Sequence, residues 1–173
     1  TATFTVTLSA ASGQTVTVGY NTSNGTATSA LDYTAIVSGT LSFAAGVTSQ
    51  TITVPILNDS LSEANETFNV NLVNPVNATI SDNLGVGTIV DNDTATISFA
   101  TAASTVGEGA GNHGLGFVLS INANGEGTPA LAQNVTFNVN TAPGGTANGG
   151  ADYTLPTTVT FAAGAGQGAT QTA

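Results

Sequence analysis

The segment ILNDSLSEANETF (residues 56–68) carries four side chains that could bind a cation, and it lies between two runs typical of β-strands. The four are the amide of Asn58 and the carboxylates of Asp59, Glu63 and Glu66. The chain has 10 acidic residues and no lysine or arginine, so no basic side chain can pair with them. Clustered carboxylates that lack such partners are usually held by a hard divalent cation. Here the counter-charge has to come from outside the chain.

Further acidic residues stand near the ends of strand-like runs. The dipeptide Asp-Tyr occurs at Asp32 and again at Asp152, DND closes a strand-like run at 91–93, and Glu108 lies in TVGEG. Calcium sites use carboxylate and carbonyl oxygens, usually about six to eight of them. Acids at strand ends would converge on such an ion if their loops lay at one pole of a β-sandwich. The alternative interpretation is that NDS and DND are turns, because Asp and Asn side chains often bond their own backbone.

The composition excludes several classes of function. A net charge of −10 without basic residues cannot neutralise phosphate, so we expect no nucleic-acid binding and no attraction to anionic membranes. No apolar run reaches about 18 residues, so we expect no membrane insertion. The absence of cysteine excludes disulfides and thiol chemistry. His113 is the single imidazole, and the sequence places no catalytic partner beside it, so we expect no enzyme activity.

The elements that would position the acids are β-strands. No window shows a helical period of apolar residues, and the turn signals SNG, NP (74–75), DN, NGEG and PGG interrupt the chain. Many short strands with frequent turns predict an all-β, immunoglobulin-like Greek-key sandwich. Alternation of apolar and polar residues places strands at 3–9, 15–20, 39–46, 50–57, 67–73, 86–91, 95–100, 115–121, 135–141 and 157–164.

Parts of the sequence occur twice. GTATSALDYT (25–34) returns as GTANGGADYT (145–154), at an offset of 120 residues. LSFAAG (41–46) returns as VTFAAG (159–164), at an offset of 118. Self-similarity of this kind indicates tandem domains.

The repeats predict two domains, 1–93 and 94–173. Upstream, TVTLS (5–9) aligns with FVLS (117–120) at an offset near 111. In this alignment the first copy lacks its opening strand, and the second copy lacks its C-terminal strands. We therefore expect the chain to be an excerpt of a longer tandem array of such domains.

The order GTA…DYT…LSFAAG…TITVPILND…NETF…VGTI, followed by DND, resembles the Calx-beta motif, known from the sodium–calcium exchanger and from bacterial surface arrays. The resemblance implies an immunoglobulin-like β-sandwich that binds Ca²⁺ at one tip. Asn58 and Ser60 stand where strongly binding members have aspartates, which implies weaker binding and fewer ions. Carried over position by position, the resemblance implies ligands at Asp32, Asn58, Asp59, the Leu61 carbonyl, Glu63, Glu66, Asp91 and Asp93, with Glu108 and Asp152 serving the second copy.

Two functions remain open. The leading hypothesis is a calcium-binding structural repeat of a long extracellular bacterial adhesin, matrix or filament protein, located outside the cell or at its surface. The alternative is a regulatory Ca²⁺-sensing module of a larger membrane-associated protein. A glycan-binding domain would need clustered exposed aromatic residues, and the chain has three tyrosines and no tryptophan. The expected partners are neighbouring repeats of the same protein, or identical chains that add a strand to an unpaired sheet edge.

Overall fold

The computed structural model describes residues 1–107, 109, 113–141, 146–147, 149–150, 152–155 and 158–172. No described residue lies in a helix, so this part of the chain has no helix that could cross a bilayer. The predicted all-β class is confirmed. The strands are β1 (Ala2–Thr7), β2 (Val16–Asn24), β3 (Gly39–Phe43), β4 (Ser49–Val54), β5 (Leu61–Ser62), β6 (Glu66–Val76), β7 (Leu84–Ile89), β8 (Thr94–Phe99), β9 (Gly116–Asn122), β10 (Ala130–Leu131), β11 (Val135–Asn138), β12 (Thr158–Phe161) and β13 (Thr170–Thr172).

The strands pack into two compact units. The first unit comprises Thr1–Asn58 and Ala64–Asp91, and the second comprises Asp59–Glu63 and Asn92–Ala173. Two β units agree with the tandem organisation read from the repeats. The predicted boundary between the repeats at residue 93 stays a prediction.

Two antiparallel sheets face each other in the first unit. One has the strand order β3-β2-β6-β7, and the other pairs β1 with β4. Phe4 of β1 meets Phe68 of β6 edge to face, with ring centroids 5.8 Å apart. Gly87 of β7 allows this close packing, because a Cβ there would lie 2.5 Å from the Phe68 ring and 3.0 Å from the Phe4 ring. The first unit is therefore a β-sandwich.

The core follows from the alternation of side chains along each strand. In β4, Ile52 and Val54 are buried while Thr51 and Thr53 are exposed, as expected for residues on opposite faces of a sheet. Each buried aliphatic or aromatic side chain contributes about 1.5–3 kcal/mol relative to exposure. The buried core of the first unit consists of Val16, Val18, Ala27, Tyr33, Leu41, Phe43, Ile52, Val54, Phe68 and Val70.

The Asn74-Pro75 dipeptide, which predicts a turn, instead lies inside β6. The register of β2 against β6 shifts between Thr17 and Gly19, so β6 carries one extra residue there. Asn74 has a φ of 50°, a left-handed conformation that asparagine tolerates better than most residues. The predicted turn is wrong at this position because a β-bulge favours the same residue types as a turn.

The second unit also has two facing sheets. One has the order β13-β9-β8, and the other pairs β11 with β12. Phe117 of β9 packs edge to face on Phe137 of β11, with centroids 5.1 Å apart. In addition, β5 and β10 pair in parallel. The strands β5, β10 and β13 were not predicted, because two or three residues are too few to show alternation. The buried core consists of Phe117, Leu119, Ile121, Leu131, Val159 and Phe161.

One turn occurs in both units. Ser29 forms a bridge with Tyr33, and Gly149 forms the same bridge with Tyr153. The N–H of Ala30 donates to the Tyr33 carbonyl at 2.9 Å, as the next residue after Gly149 does to the Tyr153 carbonyl at 2.7 Å. Ala30 has a φ of 72°, a region in which a Cβ meets the following carbonyl oxygen. Its counterpart at position 150 is a glycine, with a φ of 88°.

Replacing Ala30 with glycine is expected to stabilise the first unit by about 0.5–1 kcal/mol. The left-handed conformation costs an alanine roughly 1–2 kcal/mol, and the larger conformational entropy of unfolded glycine offsets part of that gain. Denaturant unfolding followed by circular dichroism measures the change. Ala45→Gly, at an exposed turn residue that has no positive φ of its own, is the matched control and should destabilise. Equal losses in both variants would contradict the strain at Ala30.

Candidate metal centre

The turn that carries Asp32 lies beside the end of β4. Tyr33 and Ile56 form an antiparallel bridge. The N–H of Leu57 donates to the main-chain carbonyl of Asp32 at 3.0 Å. Asn58, a predicted ligand, follows at once and is exposed. The backbone therefore places Asp32 and Asn58 at the same pole of the first unit.

The pairing of β6 with β7 brings Glu66 and Asp91 to one end of the sheet. Glu66 is the first residue of β6 and pairs with Ile89, the last residue of β7. Just beyond, the N–H of Asp91 donates to Oδ1 of Asn65 at 3.2 Å. Both acidic side chains are half-buried. Antiparallel pairing thus explains why acids 25 positions apart in the sequence lie near one another.

Asp32, Glu63 and Glu66 form a three-carboxylate group. One oxygen from each side chain lies within 4.8 Å of the others, and all three side chains are half-buried. Two oxygens bound to one Ca²⁺ at about 2.3–2.6 Å lie at most about 5.2 Å apart, so the spacing fits this ion. Two unit charges at that separation repel by roughly 3–4 kcal/mol at an effective dielectric of about 20. The donor set is therefore suited to a cation that the chain itself cannot supply.

The Asp32 side chain is held in place by its own turn. Its Oδ2 accepts a hydrogen bond from the N–H of Thr28 at 2.6 Å. The next residue, Tyr33, is 0% exposed and stacks on Phe68, with centroids 4.7 Å apart and planes 22° apart. This buried ring anchors the turn in the core. The position of the carboxylate is thus set by packing and not by the loop alone.

Asn24 is a positioning residue that the sequence reasoning missed. Its Oδ1 accepts the Tyr33 hydroxyl at 2.7 Å and the N–H of Ser29 at 3.0 Å. One amide oxygen therefore satisfies the buried phenol and fixes the start of the Asp32 turn. The only sequence signal was the Asn24-Gly25 dipeptide, which indicates a turn and says nothing of a buried partner.

Asp59 and Asp93 lie in the second unit, against one loop. Asp93 is 6% exposed, and its Oδ1 accepts the N–H of Asn124 at 2.5 Å. The next residue, Gly125, passes so close that a Cβ there would lie 1.3 Å from the Asp59 carbonyl oxygen. Oδ1 of Asp59 accepts a hydrogen bond from the N–H of Leu61 at 2.9 Å. This bond forms a local turn, as expected if NDS is a turn and not a metal-binding segment. Asn124 and Gly125, which the sequence flagged only as a turn, therefore position two predicted ligands.

The Leu61 carbonyl, predicted as a main-chain ligand, belongs to β5. The N–H groups of Ala130 and Ala132 donate to the carbonyls of Ser60 and Ser62, each at 3.3 Å. Successive carbonyls of an extended strand point to opposite sides. The Leu61 carbonyl is therefore directed away from β10.

Of the two ligands predicted for the second copy, Asp152 is not part of the three-carboxylate group. Asp152 is exposed, in the repeated turn before Tyr153. Glu108 lies outside the described residues. In the part of the chain that the structure describes, Asp32, Glu63 and Glu66 are the only three acidic or histidine side chains close enough to share an ion.

Three solved structures are similar to this chain. "Crystal structure of Apo-form Calx CBD1 domain" is 28% identical, with a TM-score of 0.44, and the match covers 46% of this chain and 72% of that one. "Crystal structure of calcium binding domain CBD12 of CALX1.1" is 22% identical, with a TM-score of 0.49, covering 78% and 55%. "Crystal structure of CBD12 from CALX1.2" is 23% identical, with a TM-score of 0.47, covering 68% and 50%. The chain thus spans about half the length of the two CBD12 chains.

Protein-family comparison gives a more direct result. The model described as "Calx-beta domain" matches residues 1–97 and again residues 90–171. No match to a curated protein was found. The two family matches confirm the tandem organisation and the resemblance read from the sequence. Because they cover almost the entire sequence, the chain belongs to the Calx-beta domain family, with two copies in tandem.

Proposed function

We propose that the chain is a calcium-binding structural repeat of a long extracellular bacterial adhesin, matrix or filament protein. The observation that carries the calcium assignment is the three-carboxylate group, with oxygens within 4.8 Å in a chain without lysine or arginine. Membership in the Calx-beta family supports the same ion.

The donor chemistry favours calcium over other metals. The group offers only oxygen ligands, which suit hard cations. Zinc sites use cysteine and histidine, and this chain has no cysteine and one histidine. Magnesium requires near-octahedral geometry at about 2.0–2.1 Å, which a cluster spread over 4.8 Å does not favour. When bound, calcium would supply positive charge that ties the loop of Asp32 to the start of β6.

Asp32, Glu63 and Glu66 would hold the ion, and Asn58 and Asp91 lie at the same pole as further oxygen donors. Asp59, Asp93 and the Leu61 carbonyl are proposed to contribute as well, as are Glu108 and Asp152 in the second copy. The role proposed for these residues is structural.

The extracellular, structural part of the proposal rests on tandem domains, on a core built from β-strands alone and on the absence of cysteine. A regulatory role in a membrane-associated protein would instead require membrane spans flanking the two copies. The parent gene separates the two: many copies with a secretion signal support the array, and two copies between membrane spans contradict it.

Calorimetric titration of Ca²⁺ into the metal-free full chain is expected to show saturable binding. Asp32→Asn and Glu66→Gln should each weaken it about tenfold or more, because each removes one charged oxygen ligand from the ion. Glu126→Gln, in an exposed turn of the second unit, is the matched control and should bind like the wild type. Absence of binding, or equal effects in all three variants, would refute the assignment.

A further inference from the structure

The contact between β6 and β7 continues past the end of their main-chain pairing. The last pair of the ladder is Glu66 with Ile89. Two residues beyond Ile89, the N–H of Asp91 donates to a side chain, Oδ1 of Asn65, at 3.2 Å. A single asparagine side chain therefore holds the main chain of Asp91 against the segment that leads into β6.

Asn65 is placed to link Asp91 with the three-carboxylate group. It lies in the sequence between Glu63 and Glu66, which are two members of that group. Asp91 is a predicted ligand that is not part of the group. The bond from Asn65 thus fixes the backbone of a fourth acidic residue next to the residue that begins β6.

The chemistry of asparagine suits this position. Its side-chain oxygen accepts a hydrogen bond as a carboxylate oxygen does, but the amide carries no charge. An aspartate at position 65 would place a further negative charge between Glu63 and Glu66, in a chain without lysine or arginine. Asn65 therefore supplies the acceptor without adding to the repulsion.

We infer that Asn65 is a positioning residue of the calcium site, which holds Asp91 where its carboxylate becomes a further ligand of the ion. Ca²⁺ takes about six to eight oxygen ligands, and three carboxylates supply at most six. A fourth carboxylate can therefore complete the shell. Asn65 acts through Asp91 and does not itself contact the ion. The inference rests on the proposed calcium-binding function and names the residue that brings Asp91 to the site.

The second unit contains a matched bond for comparison. Oδ1 of Asn134 accepts the N–H of Ala163 at 2.8 Å. Both Asn134 and Asn65 are exposed, and the donor and acceptor groups are of the same kind. Neither Asn134 nor Ala163 adjoins an acidic residue in the sequence. Asn134→Ala therefore removes an equivalent bond that positions no ligand.

The test is a double-mutant cycle, with the affinity for Ca²⁺ measured by calorimetric titration of the full chain. Asn65→Ala should weaken binding about threefold to tenfold, the effect of one hydrogen bond. In the background of Asp91→Ala, the same substitution should have almost no effect, because no side-chain ligand is left to position. Asn134→Ala should bind calcium like the wild type.

A second measurement follows the bond itself in EDTA. Amide hydrogen exchange at Asp91, resolved by NMR, should be about threefold to tenfold faster in Asn65→Ala than in the wild type. Asn65→Asp keeps an acceptor oxygen and should restore the slow exchange. This rescue separates loss of the hydrogen bond from a general loosening of the loop.

Independent losses would overturn the inference, that is, an equal effect of Asn65→Ala with and without Asp91. Equal losses of affinity in Asn65→Ala and Asn134→Ala would overturn it as well, as would unchanged exchange at Asp91 in Asn65→Ala. In each of these cases the wild type still binds calcium, so the proposed function stands. Absence of calcium binding to the wild type would overturn both.

Discussion

Millimolar calcium is expected to raise the melting temperature of the EDTA-treated protein by roughly 5–10 °C. A ligand that binds only the folded state stabilises it by about 2.7 kcal/mol at a hundredfold excess over Kd. For a chain of about 150–250 residues, each kcal/mol corresponds to about 2–4 °C. Differential scanning calorimetry in EDTA, in Ca²⁺ and in Mg²⁺ measures the shift.

Variants distinguish stabilisation by calcium bound at this site from a general effect of salt on the melting temperature. Glu66→Gln and Asp32→Asn should each remove about half or more of the calcium-induced shift. In EDTA, however, both variants should be as stable as the wild type or more so, since removing one charge relieves repulsion within the group. Glu126→Gln should keep the full shift. A shift of undiminished size in both site variants would refute the three-carboxylate site.

Phe68→Ala is expected to lower the free energy of unfolding of the first unit by about 3–5 kcal/mol. The Phe68 ring is 0% exposed and contacts two other rings, Tyr33 at 4.7 Å and Phe4 at 5.8 Å. Removing it leaves a cavity between the two sheets. Urea denaturation followed by circular dichroism measures the change.

The matched control for Phe68 is Phe99→Ala. Phe99 is 56% exposed, so its truncation should cost about 1 kcal/mol or less. A milder variant, Phe68→Leu, should also weaken calcium binding, because the ring supports Tyr33 next to Asp32. Equal losses for Phe68→Ala and Phe99→Ala would contradict the packing described for the first unit.

The strands were predictable wherever a run was long enough to alternate. In β4, and in β6 from Thr67 to Val70, the threonines and asparagines alternate with buried isoleucine, phenylalanine and valine. The extension of β6 through Asn74-Pro75 could not be predicted, because it depends on the partner strand accommodating a bulge. The two-residue strands β5 and β10 are defined only by their pairing with each other, which no local sequence pattern predicts.

The candidate site was predictable in composition and less so in membership. The sequence shows the acidic residues Asp32, Glu63 and Glu66 in a chain without lysine or arginine, and the loops that carry them follow from strand order. That Asp93 bonds the Asn124 N–H could not be predicted, since it depends on how a long loop returns to the sheet. The role of Asn24 was not predicted because it accepts a hydrogen bond from the hydroxyl of a buried tyrosine, and no local sequence pattern reveals such a contact.

The directions of β1 and β7 have a mechanical consequence. Ala2, at the start of β1, pairs with Val54 at the end of β4, and Ile89 ends β7 opposite Glu66. Ala2 and Ile89 therefore lie at the same end of the first unit, the end that carries Asp32 and Glu66. A tensile force applied between them would peel β1 from β4 one rung at a time, beginning at Ala2, instead of shearing all six rungs together.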